Sequence, residues 1–382
     1  MERALPARVV RAYSRSHSEA SPNPRTAGQV SVAAPVHAGD RASTFEQTAR
    51  PIEGDHVRSL IRSGVALVAA AALGGGLVLA GSAVSSDKGN GNGLGGQPAT
   101  ANQIYQDGVK DYGVCRGTDP VCYHDWGGGW EEGEEKRILI WSRTPGPRHA
   151  HLGTPLGPGL NPPLNADNVA QAALKAWAEE RGIAVDYTED LASFSRLNNY
   201  QAVVFLSSNR DTLDDTAQTS LLQYVRRGGG FVGIHNAFGA EYHWPWYEGL
   251  LGGANFYDHA PHRDGTVETI DGDDVSTSFM PSEWAFKDEW YNLEPYPSYV
   301  NVLLEVDEAT SLNGRDSGHP GHGDEHAISW CHYYDGGKAW LTTLGHDPAA
   351  WTDAAMVNDD LFKQHVMEGL ESAMGIKPFC AA

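Results

Sequence analysis

A chain of 382 residues, 41% of them hydrophobic, can bury one large core or two small ones, and it is too apolar to be disordered throughout. Its formal net charge is −21, although the first 62 residues hold nine Arg against six acids. The remainder of the chain is therefore strongly acidic, which excludes a nucleic-acid partner, because binding one needs a basic footprint.

Residues 1–57, rich in Arg, Ser, Ala and Pro without a hydrophobic period, read as a disordered tail. Residues 58–86 place Arg58 and Arg62 ahead of a charge-free run from Ser63 to Ser86. That run is long enough to span a bilayer and ends in small residues like the apolar region of a signal peptide. As a signal anchor it holds the chain on the membrane, and as a signal peptide it is removed. Its basic flank leaves the tail inside. Both readings make the C-terminal part secreted, or membrane-anchored and outside the cytoplasm. Residues 87–135 read as a linker, Gly/Asn-rich and then acidic. Within it Cys115 and Cys122 are close enough for a local disulfide, whereas the spacing of Cys331 and Cys380 leaves their pairing open.

The folded part is expected over 136–378. Arg137 to Trp141, Ile183 to Thr188, Gln201 to Leu206 and Phe231 to Ile234 are short apolar runs that read as buried strands. Asp167 to Arg181 and Thr212 to Arg227 carry helical periodicity, each closed by glycine. Alternation of this kind predicts an α/β fold with a parallel, doubly wound sheet. Beyond Gly253 come four more strand patterns, Thr266 to Ile270, Val300 to Val306, His326 to His332 and Lys338 to Leu344, and a closing helix from Asp359 to Met374. They predict additional strands in the C-terminal half.

The candidate chemistry is gathered at strand ends, where open α/β sheets bind ligands. His235 and Asn236 end the strand after Gly228-Gly229-Gly230, and His243, Trp244 and Trp246 follow at once. Arg148, His149 and His151 lie in the loop after the first strand. His259 and His262 come next, then Asp288, Glu289, Trp290 and Tyr291 in the stretch DEWYN, then His319, His322 and His326, then His346 and Asp347. Imidazoles beside carboxylates suit general acid–base work, and indoles suit stacking on a sugar ring. His235 and Glu289 are the expected proton-transfer pair, with Asp288 orienting a partner. Arg148, His149, Asn236, His243, Trp244, Trp246, His259, Trp290, Tyr291, His326 and His346 are the expected ligand-binding set. The same histidines and acids suit a divalent metal ion, although no tight ligand signature such as H-E-x-x-H is present. A nucleophile elbow, a dinucleotide fingerprint and a phosphate loop are absent, and no cysteine lies near the turn after the fourth strand, so a cysteine hydrolase is disfavoured.

Several stretches together, RTPGPRH, YQAVVFLSS, YVRRGGGFVGIHNAFG, WPWYEGLLGG, DEWYN and HAISWCHYYDGGKAWLTTLGH, resemble the ThuA-like family, named for trehalose utilisation. The resemblance spans about Arg137 to Ile376. It implies a flavodoxin-like layered sheet akin to class I glutamine amidotransferases, without the amidotransferase cysteine. It also implies a link to disaccharide and keto-sugar metabolism. Pro147 stands where the family commonly has Phe, and Ala327 where Pro usually follows the histidine. The combined expectation is a carbohydrate-active protein acting on a sugar, glycoside or keto-sugar, with a non-catalytic sugar-binding or sensing domain as the alternative. The partner is a small-molecule sugar, and the membrane is reached only through the N-terminal segment.

Overall fold

A computed structural model of the protein describes residues 113–311 and 318–380. The tail, the charge-free run and residues 87–112 lie outside the described residues, and so does the export expectation drawn from them. Among the described residues no helix is long and apolar enough to cross a membrane.

The strands are β1 (Arg116–Gly117), β2 (Arg137–Trp141), β3 (Ala184–Thr188), β4 (Ala202–Leu206), β5 (Gly230–Ile234), β6 (Phe256–His259), β7 (Arg263–Thr269), β8 (Glu283–Asp288), β9 (Tyr291–Leu293), β10 (Asn301–Asp307), β11 (Ala327–Tyr334) and β12 (Gly337–Thr342). The α-helices are α1 (Val169–Glu180), α2 (Asp215–Arg226), α3 (Pro245–Leu250), α4 (Glu308–Ser311) and α5 (Asp359–Met374). One sheet runs β3-β2-β4-β5-β12-β11-β10-β7-β8, with β1 beside β11, while β6 and β9 pair separately. Strands β3, β2, β4, β5 and β12 are mutually parallel, and the remainder of the large sheet is antiparallel. This is the expected α/β architecture with its extra C-terminal strands.

Alternation along each strand builds two cores. Ile138, Ile140, Val204, Leu206, Val232 and Ile234 face one layer, with Leu174 and Trp177 of α1 and Phe362, Val366 and Leu370 of α5. Leu139, Trp141, Val203, Phe205 and Phe231 face the other, with Leu221 and Val225 of α2 and Tyr247 and Leu250 of α3. Because both faces are covered, the central parallel strands β4 and β5 are continuously apolar. Each large aliphatic side chain buried this way contributes about 1.5–3 kcal/mol of transfer free energy. Helix α2 starts where Asp214 accepts a hydrogen bond from the Ala217 N–H, a side-chain cap, and α5 stops at Gly375, whose φ is 87°. Helix α5 approaches β12 closely at Gly369, where a Cβ would sit 2.1 Å from Trp340 Cε2.

One sequence expectation needs correction. The folded part begins before Arg137: β1 pairs with Tyr333 and Tyr334, Cys122 is buried, and the Trp130 N–H bonds the Met374 carbonyl. This stretch resembles a linker in sequence because it carries glycine and acid in place of an apolar run, yet backbone pairing and a buried disulfide hold it. The DEWYN stretch spans the end of β8, a two-residue link and the start of β9. The cysteines form two disulfides, Cys115–Cys122 and Cys331–Cys380, the second tying the C-terminal segment to β11.

Candidate active site

All the parallel strands point their C-terminal ends to one edge, and the loops there bring distant histidines together. The loop after β2 supplies His149 and His151, the turn after β5 supplies His235, and the loop after β12 supplies His346. The β8–β9 link supplies Glu289. One ligand atom from each of His149, His235, Glu289 and His346 lies within 4.8 Å of the other three. Glu289 Oε2 is 2.9 Å from His346 Nδ1 and 3.8 Å from His235 Nε2, and its Oε1 is 3.7 Å from His259 Nε2. His235 Nε2 and His346 Nδ1 are 3.4 Å apart.

His235 sits at the bend from β5 into a short 3-10 helix with φ of 51°. A left-handed, non-glycine residue at a strand end carries backbone strain of about 1–3 kcal/mol, which surrounding contacts must hold. Here the His235 Nδ1–H donates to the Thr343 carbonyl at 2.8 Å. That fixes the tautomer and leaves Nε2 as an acceptor, 2.9 Å from the Tyr291 hydroxyl. His151 repeats the device one layer below. Its Nδ1–H donates to the His346 carbonyl at 2.8 Å, and its Nε2 accepts from the Ser207 hydroxyl at 2.8 Å. Partners of this kind orient metal-binding imidazoles and raise their basicity.

The electrostatics follow from burial and from Glu289. Burial, then the His346 charge, pull His149 down to about 4. Burial, then the neighbouring histidines, hold His235 well below the ordinary imidazole range. Burial also pulls on His346, but the Glu289 hydrogen bond and charge outweigh it and raise that group. In Glu289 burial is overcome by His346 and the other histidines, so the carboxyl is lowered. The cluster thus presents neutral imidazoles at His149 and His235 beside an ionised Glu289, while the same carboxylate favours a proton on His346 that a metal ion would have to displace. His149 Nδ1 is buried without a hydrogen-bond partner among the described residues, which a bound ion would resolve. Three imidazoles and one carboxylate suit zinc or another first-row divalent ion.

Asp288 is fully buried and turned to the backbone. Its oxygens accept from the N–H groups of Gly345 (2.7 Å), His346 (3.1 Å) and Glu289 (2.8 Å). Burial pushes its carboxyl up to about 7 against those donors. It therefore ties the β8–β9 link to the loop after β12 and sets Glu289 against His346. Beside the cluster lies a cleft of about 200 Å³ lined by residues that include His149, Asn209, Arg210, Asn236, Tyr242 and Tyr291. Its other lining residues include Pro147, Phe256 and His259.

The model for the family described as ThuA, trehalose utilisation, matches residues 162–373. The chain belongs to the ThuA family. Among solved structures it is similar to a ThuA-like protein from Bacteroides uniformis ATCC 8492, at 21% identity and a TM-score of 0.49, over 63% of this chain and 92% of that one. A ThuA-like protein from Parabacteroides merdae ATCC 43184 follows at 18% and 0.48, over 64% and 91%. A β-galactosidase from Bacillus circulans sp. alkalophilus is similar at 12% and 0.39, over 64% of this chain and 32% of that one. No curated protein matches.

In this ThuA chain several expected ligand-binding residues lie elsewhere. Trp246 donates to Asp335, in the turn that precedes β12, at the end of that strand opposite His346, and Trp244 stacks on it at 4.8 Å. His243 is exposed. Trp290 is buried, with its N–H on the Arg263 carbonyl, so it packs the core rather than a ligand. Arg148 is held by Glu189 at 2.7 Å and by loop carbonyls, shaping the loop that carries His149. His326 bonds Glu308 and the Tyr291 carbonyl, behind the site. Aromatics crowded beside histidine in sequence are therefore mostly core, because a helix and a strand turn them away. Asn209, Arg210, Ser207 and the positioning role of His151 are not foreseen from the sequence. A signal for them exists: SSNR directly follows the apolar run of β4, a strand end like the others.

Proposed function

We propose that this ThuA chain is a carbohydrate-active enzyme whose reaction centre is a divalent metal ion held by His149, His235, His346 and Glu289. The observation that carries the reading is the convergence of four ligand atoms from four separate loops, with a buried nitrogen of His149 left without a partner among the described residues. A metal ion there would act as a Lewis acid on a substrate hydroxyl or carbonyl oxygen. The chain's own groups supply the rest. Asn209, Asn236, Tyr242 and Tyr291 offer hydrogen bonds to a hydroxylated ligand, and Phe256 offers an apolar face. Tyr291 reaches both the cleft and His235 Nε2; a metal ion on that nitrogen would take its lone pair and release the Tyr291 hydroxyl to bond the ligand. At about 200 Å³ the cleft is smaller than the roughly 300–1,000 Å³ of sites for drug-sized ligands, which favours one sugar ring over two.

The 2.9 Å contact of Glu289 with His346 favours a second reading, in which that pair and His235 move a proton without a metal. Elemental analysis of purified protein separates the two: about one equivalent of a transition metal supports the first. A sugar panel assayed for product, with the wild type against His235→Ala and Glu289→Gln, then tests catalysis. Turnover that survives both changes overturns the enzyme proposal at this site, and binding without product supports a sugar-binding domain instead. The domain is proposed to work outside the cytoplasm. Two disulfides support that placement, because such bonds persist in oxidising compartments. The membrane contact is proposed to run through residues 63–86.

A further inference from the structure

The cleft has a charged wall. Arg210 lines it beside Asn209 and Tyr242, is exposed, and has φ of 57°. Its backbone is bonded on both sides: its N–H donates to the Gly239 carbonyl at 2.8 Å, and its carbonyl accepts from Thr212 at 2.7 Å and Glu241 at 3.0 Å. Gly146 makes room for the stem, since a Cβ there would meet Arg210 Cγ at 2.4 Å. A bulky residue is thus held in a left-handed conformation on a fixed backbone, and its side chain is delivered to the cleft. Among the described residues the guanidinium has no hydrogen bond or carboxylate partner; it only approaches the Tyr242 ring, 5.8 Å from its centre. By contrast Arg137, Arg148, Arg181 and Arg226 each pair with a carboxylate. In a chain of net charge −21, an arginine without an acidic partner at a binding cleft is an unfilled anion position.

We propose that the cleft takes an anionic monosaccharide, whose carboxylate or phosphate pairs with Arg210 while its hydroxyls face Asn236, Tyr291 and the histidine cluster. This rests on the reading of the cleft as a sugar site and names its substrate class. A charge-assisted, hydrogen-bonded pair with Arg210 gives a preference on the order of tenfold over the neutral sugar.

The test is titration calorimetry on the purified protein at low salt, with glucose, galactose and mannose, their uronates and their 6-phosphates. The expected result is that at least one uronate or 6-phosphate binds about tenfold tighter than its neutral parent. Arg210→Gln removes that preference, weakening the anion far more than the neutral parent, and Arg210→Lys restores part of it. A uronate preference identifies a carboxylate and a 6-phosphate preference a phosphate. Neutral sugars bound as tightly as the anions, or all ligands weakened alike in Arg210→Gln, overturn the proposal and leave the sugar site standing. If no sugar of any charge binds, both readings fall. The Arg210 side chain makes no hydrogen bond to the described residues, so unchanged thermal midpoints are expected and would confirm that the variants report binding.

Discussion

Two histidine clusters lie on either side of Tyr291, and they differ in what their ring nitrogens meet. In the cluster of His149, His235 and His346 one buried nitrogen has no partner among the described residues, and Glu289 is shared among several imidazoles. In the cluster of His319, His322 and His326 the rings pack at 4.6 Å (tilted) and 4.9 Å (edge-on), and the nitrogens serve the protein. There His319 Nδ1 accepts from Gly321, and His322 Nε2 accepts from the Leu293 N–H. His326 bonds Glu308 at 2.8 Å and the Tyr291 carbonyl at 2.9 Å. The Glu308 carboxyl is lowered to about 2: burial opposes this, but the His326 hydrogen bond and backbone N–H groups prevail. Density of histidine in sequence therefore does not locate chemistry. The destination of the second nitrogen does: a satisfied cluster is a brace, and one with an open nitrogen can bind.

Metal retention gives the widest separation between the two clusters. His235→Ala or Glu289→Gln should lower bound metal to well under a tenth of an equivalent after dialysis, a larger loss than the roughly 10–100-fold of an outer-shell change. His322→Ala should leave the content unchanged. Metal lost equally from all three variants would mean that the clusters do not differ in the way described. Stability should show the reverse. Glu308→Gln breaks a buried ion pair and should cost about 3–5 kcal/mol in denaturant unfolding while metal content persists. A cost below about 1 kcal/mol, the scale of an exposed pair, would show that the second cluster does not brace the fold.

The parallel half of the fold is legible because its strands are buried on both faces and read as unbroken apolar runs, such as AVVFL in β4. Strand β8, EWAFKD, escapes notice although its burial alternates, because charged residues occupy exposed positions. The pair β6–β9 is short and joined across a long interval, and nothing local announces it. At the site, strand-end residues are legible, and His149, Asn236, His259 and Tyr291 of the cleft wall with them, whereas Asn209 and Arg210 are not. His235, Glu289 and His346 lie just beyond strands and converge. Trp244 and Trp246 also follow a strand, but an intervening 3-10 helix and α3 carry them to the other end of the sheet. One-dimensional spacing cannot express that reversal.

Acid sensitivity should follow buried histidines remote from both clusters. His365 and His332 are fully buried, and burial lowers each to about 4 against backbone hydrogen bonds that raise them. The unfolded chain takes up protons near pH 6.5, and the folded chain only near pH 4. Stability is therefore undiminished above about pH 6.5, falls as the pH drops between those values, and stops falling from this source below about 4. The slope is up to about 1.4 kcal/mol per pH unit for each histidine. His365→Gln should be less stable at pH 8 yet lose less between about pH 6.5 and 4. An unchanged slope in urea midpoints would show that His365 does not titrate as its burial requires.

The finest distinction concerns Ser207. Its hydroxyl donates to His151 Nε2, which directs the Nδ1–H of that ring to the His346 carbonyl. Ser207→Ala removes no candidate ligand and little volume. It leaves His151 Nε2 buried and unpaired, at a cost of about 1–3 kcal/mol. If the ring escapes by moving its proton to Nε2, Nδ1 faces the His346 carbonyl as an acceptor and the two repel. Either response disturbs the backbone that aims His346. Metal affinity should therefore fall about tenfold, with the stoichiometry at saturation unchanged, as expected for an orienting partner. A competitive chelator titration reads that shift. Affinity equal to wild type, together with the stability loss, would mean that His151 supports the fold alone and that Asp288 suffices to hold the His346 loop.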